Sequence, residues 1–185
     1  MPASFEKYFT IAVAILLAVV LVSLFFVTRD HKSAFRIAFL DVGQGDAALV
    51  TFDRRTQMLI DCGASRKVLT GLGRHMPFYD RTIEYLVITH PDTDHYVGCI
   101  DVLDRYHVER IWWTARDNKN DPQWEVWKEK MAAEGADVQV IDRAERRDVG
   151  DTVIDVLYPD HAVHNEKASD NNTSIVMRIQ NGTFS

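Results

Sequence analysis

Between Thr89 and Gly98 the chain reads Thr-His-Pro-Asp-Thr-Asp-His-Tyr-Val-Gly, and four side chains able to ligate a metal, His90, Asp92, Asp94 and His95, fall within six residues. Imidazoles and carboxylates together suit a hydrolytic divalent ion such as Zn²⁺ or Mn²⁺, and two neighbouring sets suit two ions. In extended backbone, residues two apart point the same way. His90, Asp92 and Asp94 can therefore share one side of the loop while His95 turns to another. The bland alternative is a solvated acidic loop that happens to hold histidines. Such loops are common but seldom so dense in ligand types, and the metal reading is favoured.

The elements that must position this loop follow from the flanking sequence. The apolar, β-branched run Ile83 to Ile88 reads as a buried parallel strand, and Pro91 cannot continue a sheet ladder. The ligand-type residues should therefore leave the strand at its C-terminal end, where open α/β sheets place their chemistry. Asp94 is the expected N-cap of a helix through Val97, Ile100, Val102, Leu103 and Tyr106, with Gly98 letting its first turn pack closely against the loop.

Upstream, 34–40, 47–52 and 57–60 read as strands and 65–74 as a short helix. Two turns among them place acidic residues at a strand's end. Asp41-Val42-Gly43-Gln44-Gly45-Asp46 has two glycines that permit close backbone approach, but its carboxylates make a poor phosphate cradle. Asp61-Cys62-Gly63 closes the third strand.

Downstream, 108–113 is a strand and 122–134 a helix opened by Asp121 and Pro122 and stopped by Gly135. Trp124 and Trp127, three apart on that helix, are expected in the core. A strand at 138–141, a charged solvated turn at 142–148, and strands at 152–158 and 173–179 complete the pattern. His161 and His164, in a polar loop, are left out of the site. Alternating strands and helices define the α/β class.

Residues 1–28 stand apart. Tyr8 to Val27 is a run of 20 residues, almost all apolar, with no charge between Lys7 and Arg29. At about 1.5 Å per residue it matches a hydrocarbon core of about 30 Å, and no small-residue cleavage site ends it. The expectation is a single-pass membrane anchor followed by a soluble domain at 34–185. Lys7 before the run against Arg29, Lys32 and Arg36 after it gives a charge count that puts the domain in the cytoplasm, by a small margin. The net charge of -6 makes the domain a poor stand-alone clamp for nucleic acid, so a phosphate substrate would depend on bound metal. Cys62 and Cys99 are too few for a disulfide framework. Buried free thiols are the expectation, a bridge requiring an oxidising compartment.

The segment His90-Pro91-Asp92-Thr93-Asp94-His95-Tyr96-Val97-Gly98 resembles the HxHxDHxxG signature of the metallo-β-lactamase superfamily, with Asp92 where the second histidine usually stands. Asp92, the Asp41 to Asp46 loop, Leu59-Ile60-Asp61-Cys62-Gly63 and Asn171-Asn172-Thr173-Ser174-Ile175-Val176 together resemble the hydrolase domain of ComEC-type competence proteins, from about Phe35 to the end. The resemblance implies an αββα sandwich with two divalent metals, Zn or Mn. It implies His90 and Asp92 on the first metal and Asp94 and His95 on the second. Asp61 would stand behind them as acceptor for the spare ring N–H of a ligand histidine. Gln44, Gly45 and Asp46 would form an active-site loop. It also implies hydrolysis by a metal-activated water that Asp94 helps to orient.

The family's later ligands, an acidic residue and a histidine pair, have no counterpart here. Asn181-Gly182 is a hairpin signal with only Thr183, Phe184 and Ser185 after it, so the expectation is the N-terminal part of a longer domain.

The functional expectation is a membrane-anchored metallo-hydrolase, a phosphodiesterase or nuclease acting on DNA in competence and DNA uptake. The competence resemblance places its domain outside the cytoplasm, against the charge count. The rivals are a non-catalytic metal-binding or interaction module and a hydrolase of another ester or amide, such as a β-lactam or lactone.

Overall fold

The computed structural model describes residues 3–28, 35–53, 55–159 and 170–182, and the chain divides into two compact units, Met1–Ser33 and Ala34–Ser185. The polar link at 29–33, the turn residue Arg54, the loop holding His161 and His164, and the three residues after Gly182 lie outside the described residues. In the first unit a single helix, α1 (Ala3–Thr28), takes in the whole apolar run. Its side chains are described for 8–23, and among the described residues no helix is long and apolar enough to cross a membrane.

The second unit is built on a six-stranded sheet whose spatial order equals its chain order: β1 (Arg36–Phe39), β2 (Ala48–Thr51), β3 (Gln57–Ile60), β4 (Thr82–Val87), β5 (His107–Trp113) and β6 (Asp137–Val140). The first three strands pair antiparallel through short turns. From β3 to β6 every pairing is parallel. A parallel neighbour needs a crossover, and α2 (Lys67–His75), α3 (Thr93–Leu103) and α4 (Pro122–Glu134) supply three in succession. Because such crossovers share one hand and the strands progress in one direction, the three helices cover the same face. Val68, Leu72, Tyr96, Cys99, Val102, Trp124 and Trp127 there meet Leu49, Leu59, Leu86 and Ile111 of the sheet.

The opposite face packs on a second, antiparallel sheet of β7 (Glu145–Val149), β8 (Thr152–Tyr158) and β9 (Val176–Asn181). Val50, Met58, Val87 and Trp112 meet Val149, Ile154 and Val156 in that layer. Helix, sheet and sheet are therefore three layers of the expected four, and the described residues of this unit hold no α-helix besides α2, α3 and α4.

Three local readings are corrected. The charged stretch 142–148 is not all turn. Glu145 begins β7, which pairs with β8 around Gly150 at a φ of 57°. Its charge is accommodated by alternation: Arg147 turns inward, its guanidinium 4.6 Å from the Trp112 ring centroid and bonded to Glu145 and Gln139. Arg146, on the other side, bonds Asp155. The last strand begins at Val176 rather than Thr173, because Asp170–Thr173 is a 3₁₀ turn. Asp92, not Asp94, occupies the N-cap of α3. The Trp pair on α4 is buried, as expected.

Candidate metal centre

Parallel strands end in register, so the turns after β3 and β4 emerge side by side. Asp61 follows β3 with a φ of 55°, a left-handed conformation that L residues other than Asn and Asp seldom adopt. The backbone is held there by Asp61 N donating to Val87 O at 2.9 Å and Cys62 N donating to His95 O at 2.8 Å. The twist turns the Asp61 carboxylate onto the loop that leaves β4. Asp61 is buried, and its carboxylate accepts from Thr89 N at 2.8 Å, from Thr89 Oγ1 at 2.6 Å and from His95 Nδ1 at 2.9 Å.

The loop itself brings His90, Asp92, Asp94 and His95 together as two pairs. His90 Nε2 stands 3.3 Å from Asp92 Oδ2, and His95 Nε2 stands 3.9 Å from Asp94 Oδ1. The two imidazoles lie with centroids 3.9 Å apart. His95 N donates to Asp92 O at 2.9 Å, closing the first turn of α3. Asp94 sits within that turn, where the helix N-terminus favours a negative charge.

The Gln44 to Asp46 loop joins them. Gln44 Nε2 donates to Asp94 Oδ2 at 3.1 Å, and Gly63 N and Ala64 N donate to the carbonyls of Asp46 and Gln44. A Cβ on Gly45 would lie 1.7 Å from the Asp94 carbonyl oxygen, so only glycine admits this approach.

One turn further along α3, a Cβ on Gly98 would meet Cys62 O at 2.1 Å. This close approach brings Cys62 and Cys99 to a Cα separation of 5.3 Å, and they form a disulfide. The expectation of free thiols is thereby corrected: the spacing in sequence hides a contact that Gly98 makes.

Burial of the His95 ring opposes its charged form, but the hydrogen bond to Asp61 and the charges of Asp61, Asp94 and Asp46 outweigh that effect and hold its pKa above the ordinary range. Two imidazoles are thus placed among the carboxylates of Asp46, Asp61, Asp92 and Asp94, an excess of negative charge that suits a cation. His90 Nε2 adds a second sign. It is buried and has no hydrogen-bond partner, since its approach to Asp92 lacks hydrogen-bond geometry. An orphaned imidazole nitrogen beside a carboxylate oxygen is a donor set that fits Zn²⁺ or Mn²⁺. Among the described residues, however, no three His, Cys, Asp or Glu side chains converge closely enough to hold an ion by themselves.

Two participants carried no motif. Thr89 bonds both Asp61 and His90 Nδ1, the latter at 2.9 Å; only its place directly before the loop could have drawn attention to it. Asp121, expected simply to open α4, also accepts from Tyr96 OH at 2.6 Å and Thr93 Oγ1 at 3.0 Å, tying α4 to the start of α3. The Tyr96 bond, the largest influence, holds the Asp121 pKa below the usual carboxylate range.

No protein-family model matches the chain, and no curated protein sequence matches it. Solved structures do. A subclass B3 metallo-β-lactamase from a soil metagenome, MEM-A1, superposes with a TM-score of 0.53 at 14% identity over 81% of this chain and 57% of its own. The Rm3 metallo-β-lactamase gives 0.52 at 14% identity over 78% and 54%. The chemotaxis sensor ODP, in a peroxy diiron form, gives 0.51 at 15% identity over 80% and 56%. At these identities the likeness establishes the fold, which is of the metallo-β-lactamase type. The chain spans little more than half the length of these structures.

Proposed function

We propose that the chain belongs to a metal-dependent hydrolase of the ComEC-like type, a phosphodiesterase or nuclease with DNA as its substrate. The observation that carries this reading is the pairing of His90 with Asp92 and of Asp94 with His95 around a buried, partnerless His90 Nε2. His90 and Asp92 would hold one ion and Asp94 and His95 a second. Divalent ions there supply Lewis acidity and a nucleophile at neutral pH. The chain's own residues do the rest. Asp61 fixes the His95 ring, Gln44 steadies Asp94, and Asp94 accepts a proton or orients water at Oδ1 while Gln44 occupies Oδ2.

Each pair offers two protein ligands where a hydrolytic ion takes about three, so further ligands are supplied from outside these four residues. Asp92 in place of a second imidazole favours phosphate chemistry over lactam or lactone hydrolysis, on the strength of the competence-type resemblance. A fold neighbour with a diiron form and others that are lactamases leave the reaction to the site itself. A second reading, a non-catalytic metal-binding or interaction module, is favoured by the absence of a three-ligand set among the described residues.

The helix α1 is proposed as a membrane anchor. Its described side chains include Leu16, Leu17 and Leu21, all exposed and apolar. The domain is proposed to lie outside the cytoplasm, and the Cys62 to Cys99 disulfide supports an oxidising compartment.

Cleavage of a labelled oligonucleotide by the full chain with added Mn²⁺ or Zn²⁺ tests the enzyme. Metal-dependent turnover that a chelator abolishes supports it. Metal uptake without turnover, in this chain and in versions extended beyond Ser185, supports the binding module. Carbonate-resistant sedimentation with membranes tests the anchor, and release into the supernatant would refute it.

A further inference from the structure

We propose that Thr89 is a positioning residue that fixes the tautomer of His90, so that one carboxylate, Asp61, governs both imidazoles of the site: His95 directly and His90 through the Thr89 hydroxyl. As a statement about metal binding this rests on the reading given above; as a statement about protons it does not.

Thr89 Oγ1 lies 2.6 Å from Asp61 Oδ2 and 2.9 Å from His90 Nδ1. A hydroxyl has one proton to donate, whereas a carboxylate has none. The proton of Thr89 is therefore committed to Asp61, and what Oγ1 offers His90 is a lone pair. His90 Nδ1 must carry the ring proton, which leaves Nε2 with a bare lone pair. That agrees with the surroundings of Nε2, which is buried and finds no hydrogen-bond partner: a proton there would have no acceptor, because Asp92 Oδ2, though 3.3 Å away, lies outside hydrogen-bond geometry.

At His95 the same logic runs without the relay: Nδ1 donates directly to Asp61 Oδ2 at 2.9 Å. Both Nε2 atoms are thus set up as ligands by a single buried acid. The acid is held in turn by Thr89 N, which donates to Asp61 Oδ1 at 2.8 Å. Thr89 O accepts from Ile175 N at 3.0 Å, so the relay residue is also fastened to the segment leading into β9.

Replacing Thr89 by valine keeps the branched shape and removes the lone pair. The buried Nδ1–H would then lack an acceptor, and the ring, no longer held at Nδ1, gains by moving its proton to Nε2 and turning until Asp92 Oδ2, now 3.3 Å away, can accept it. The metal-binding nitrogen would be blocked by the proton it must shed.

The test is imidazole ¹⁵N and ¹³C chemical shifts of the metal-free full chain in detergent at pH 8, with calorimetric Zn²⁺ titration of the same samples. The wild type should show His90 as the Nδ1–H tautomer. Thr89→Val should shift it to Nε2–H and weaken Zn²⁺ binding by roughly 10- to 100-fold, and Thr89→Ser should restore both. A wild-type His90 found as Nε2–H overturns the relay without any variant having to fold, whatever the metal does. An unchanged tautomer in Thr89→Val overturns it too. A wild type with the Nδ1–H tautomer that takes up no Zn²⁺ or Mn²⁺ supports the relay and sinks the metal reading instead.

Discussion

Gln44 Nε2 donates to Asp94 Oδ2 across 50 positions of sequence, at 3.1 Å. The bond exists because Gly45, at a φ of 87°, lets the loop after β1 lie directly on the first turn of α3. The two parts of this contact should respond differently to substitution. Gln44→Ala removes one exposed hydrogen bond and should cost about 1 kcal/mol or less. Gly45→Ala forces a Cβ onto the Asp94 carbonyl and a side chain into left-handed backbone, and should cost at least ~2 kcal/mol. Urea denaturation of both variants measures the contrast, and equal costs would show that the approach is not as close as described.

Asp61 gathers Thr89 and His95 on one buried carboxylate. Asp61→Ala should weaken metal binding by roughly 10- to 100-fold, as expected when a partner that orients a ligand is lost. It should also destabilise the fold, because Thr89 N, in a part-buried position, would be left without its acceptor. Metal titration against thermal unfolding separates the two effects.

The disulfide between Cys62 and Cys99 joins residues 37 positions apart and ties Asp61's turn to the helix that carries Asp94 and His95. Reduction should lower stability by about 2–4 kcal/mol. Thiol trapping of protein isolated from its native host should find both cysteines blocked. Free thiols there would contradict an oxidising location.

Glu84, on β4, accepts from Gln57 N at 2.6 Å. Burial, reinforced by Asp80 and Glu109, raises its pKa from 4.5 to about 6 against the lowering effect of that bond. Between those values the folded chain keeps a proton that the unfolded chain has lost. Its contribution is therefore full below about pH 4.5 and is lost as pH rises through about 6. Glu84→Gln should raise the Tm relative to wild type above pH 6 and bring no gain at pH 4. An equal shift at both values would refute the assignment.

Much of this fold can be read from the residues. The β-branched run before His90 and the Asp121-Pro122 start and Gly135 stop of α4 led to elements that the structure contains. β7 was hidden because its inward face carries Glu145 and Arg147, whose burial depends on Trp112 and Gln139 from another sheet. The disulfide was hidden for a similar reason, since its geometry depends on Gly98 meeting Cys62 O. At the site, ligand types advertise themselves by spacing, but hydrogen-bond direction does not. The role of Thr89 depends on which neighbour takes its single proton, which becomes visible only when Asp61 and His90 are seen on either side of it.

The central claim is that the loop from His90 to His95 holds divalent metal, and calorimetric titration of Zn²⁺ or Mn²⁺ into the metal-free chain and its Asp94→Ala variant tests it most directly. The account predicts saturable, chelator-reversible uptake by the wild type, modest because each ion has only two ligands from this loop, and at least a tenfold loss in Asp94→Ala with the fold intact by circular dichroism. Uptake of equal affinity and stoichiometry in Asp94→Ala, or none in the wild type, would contradict it.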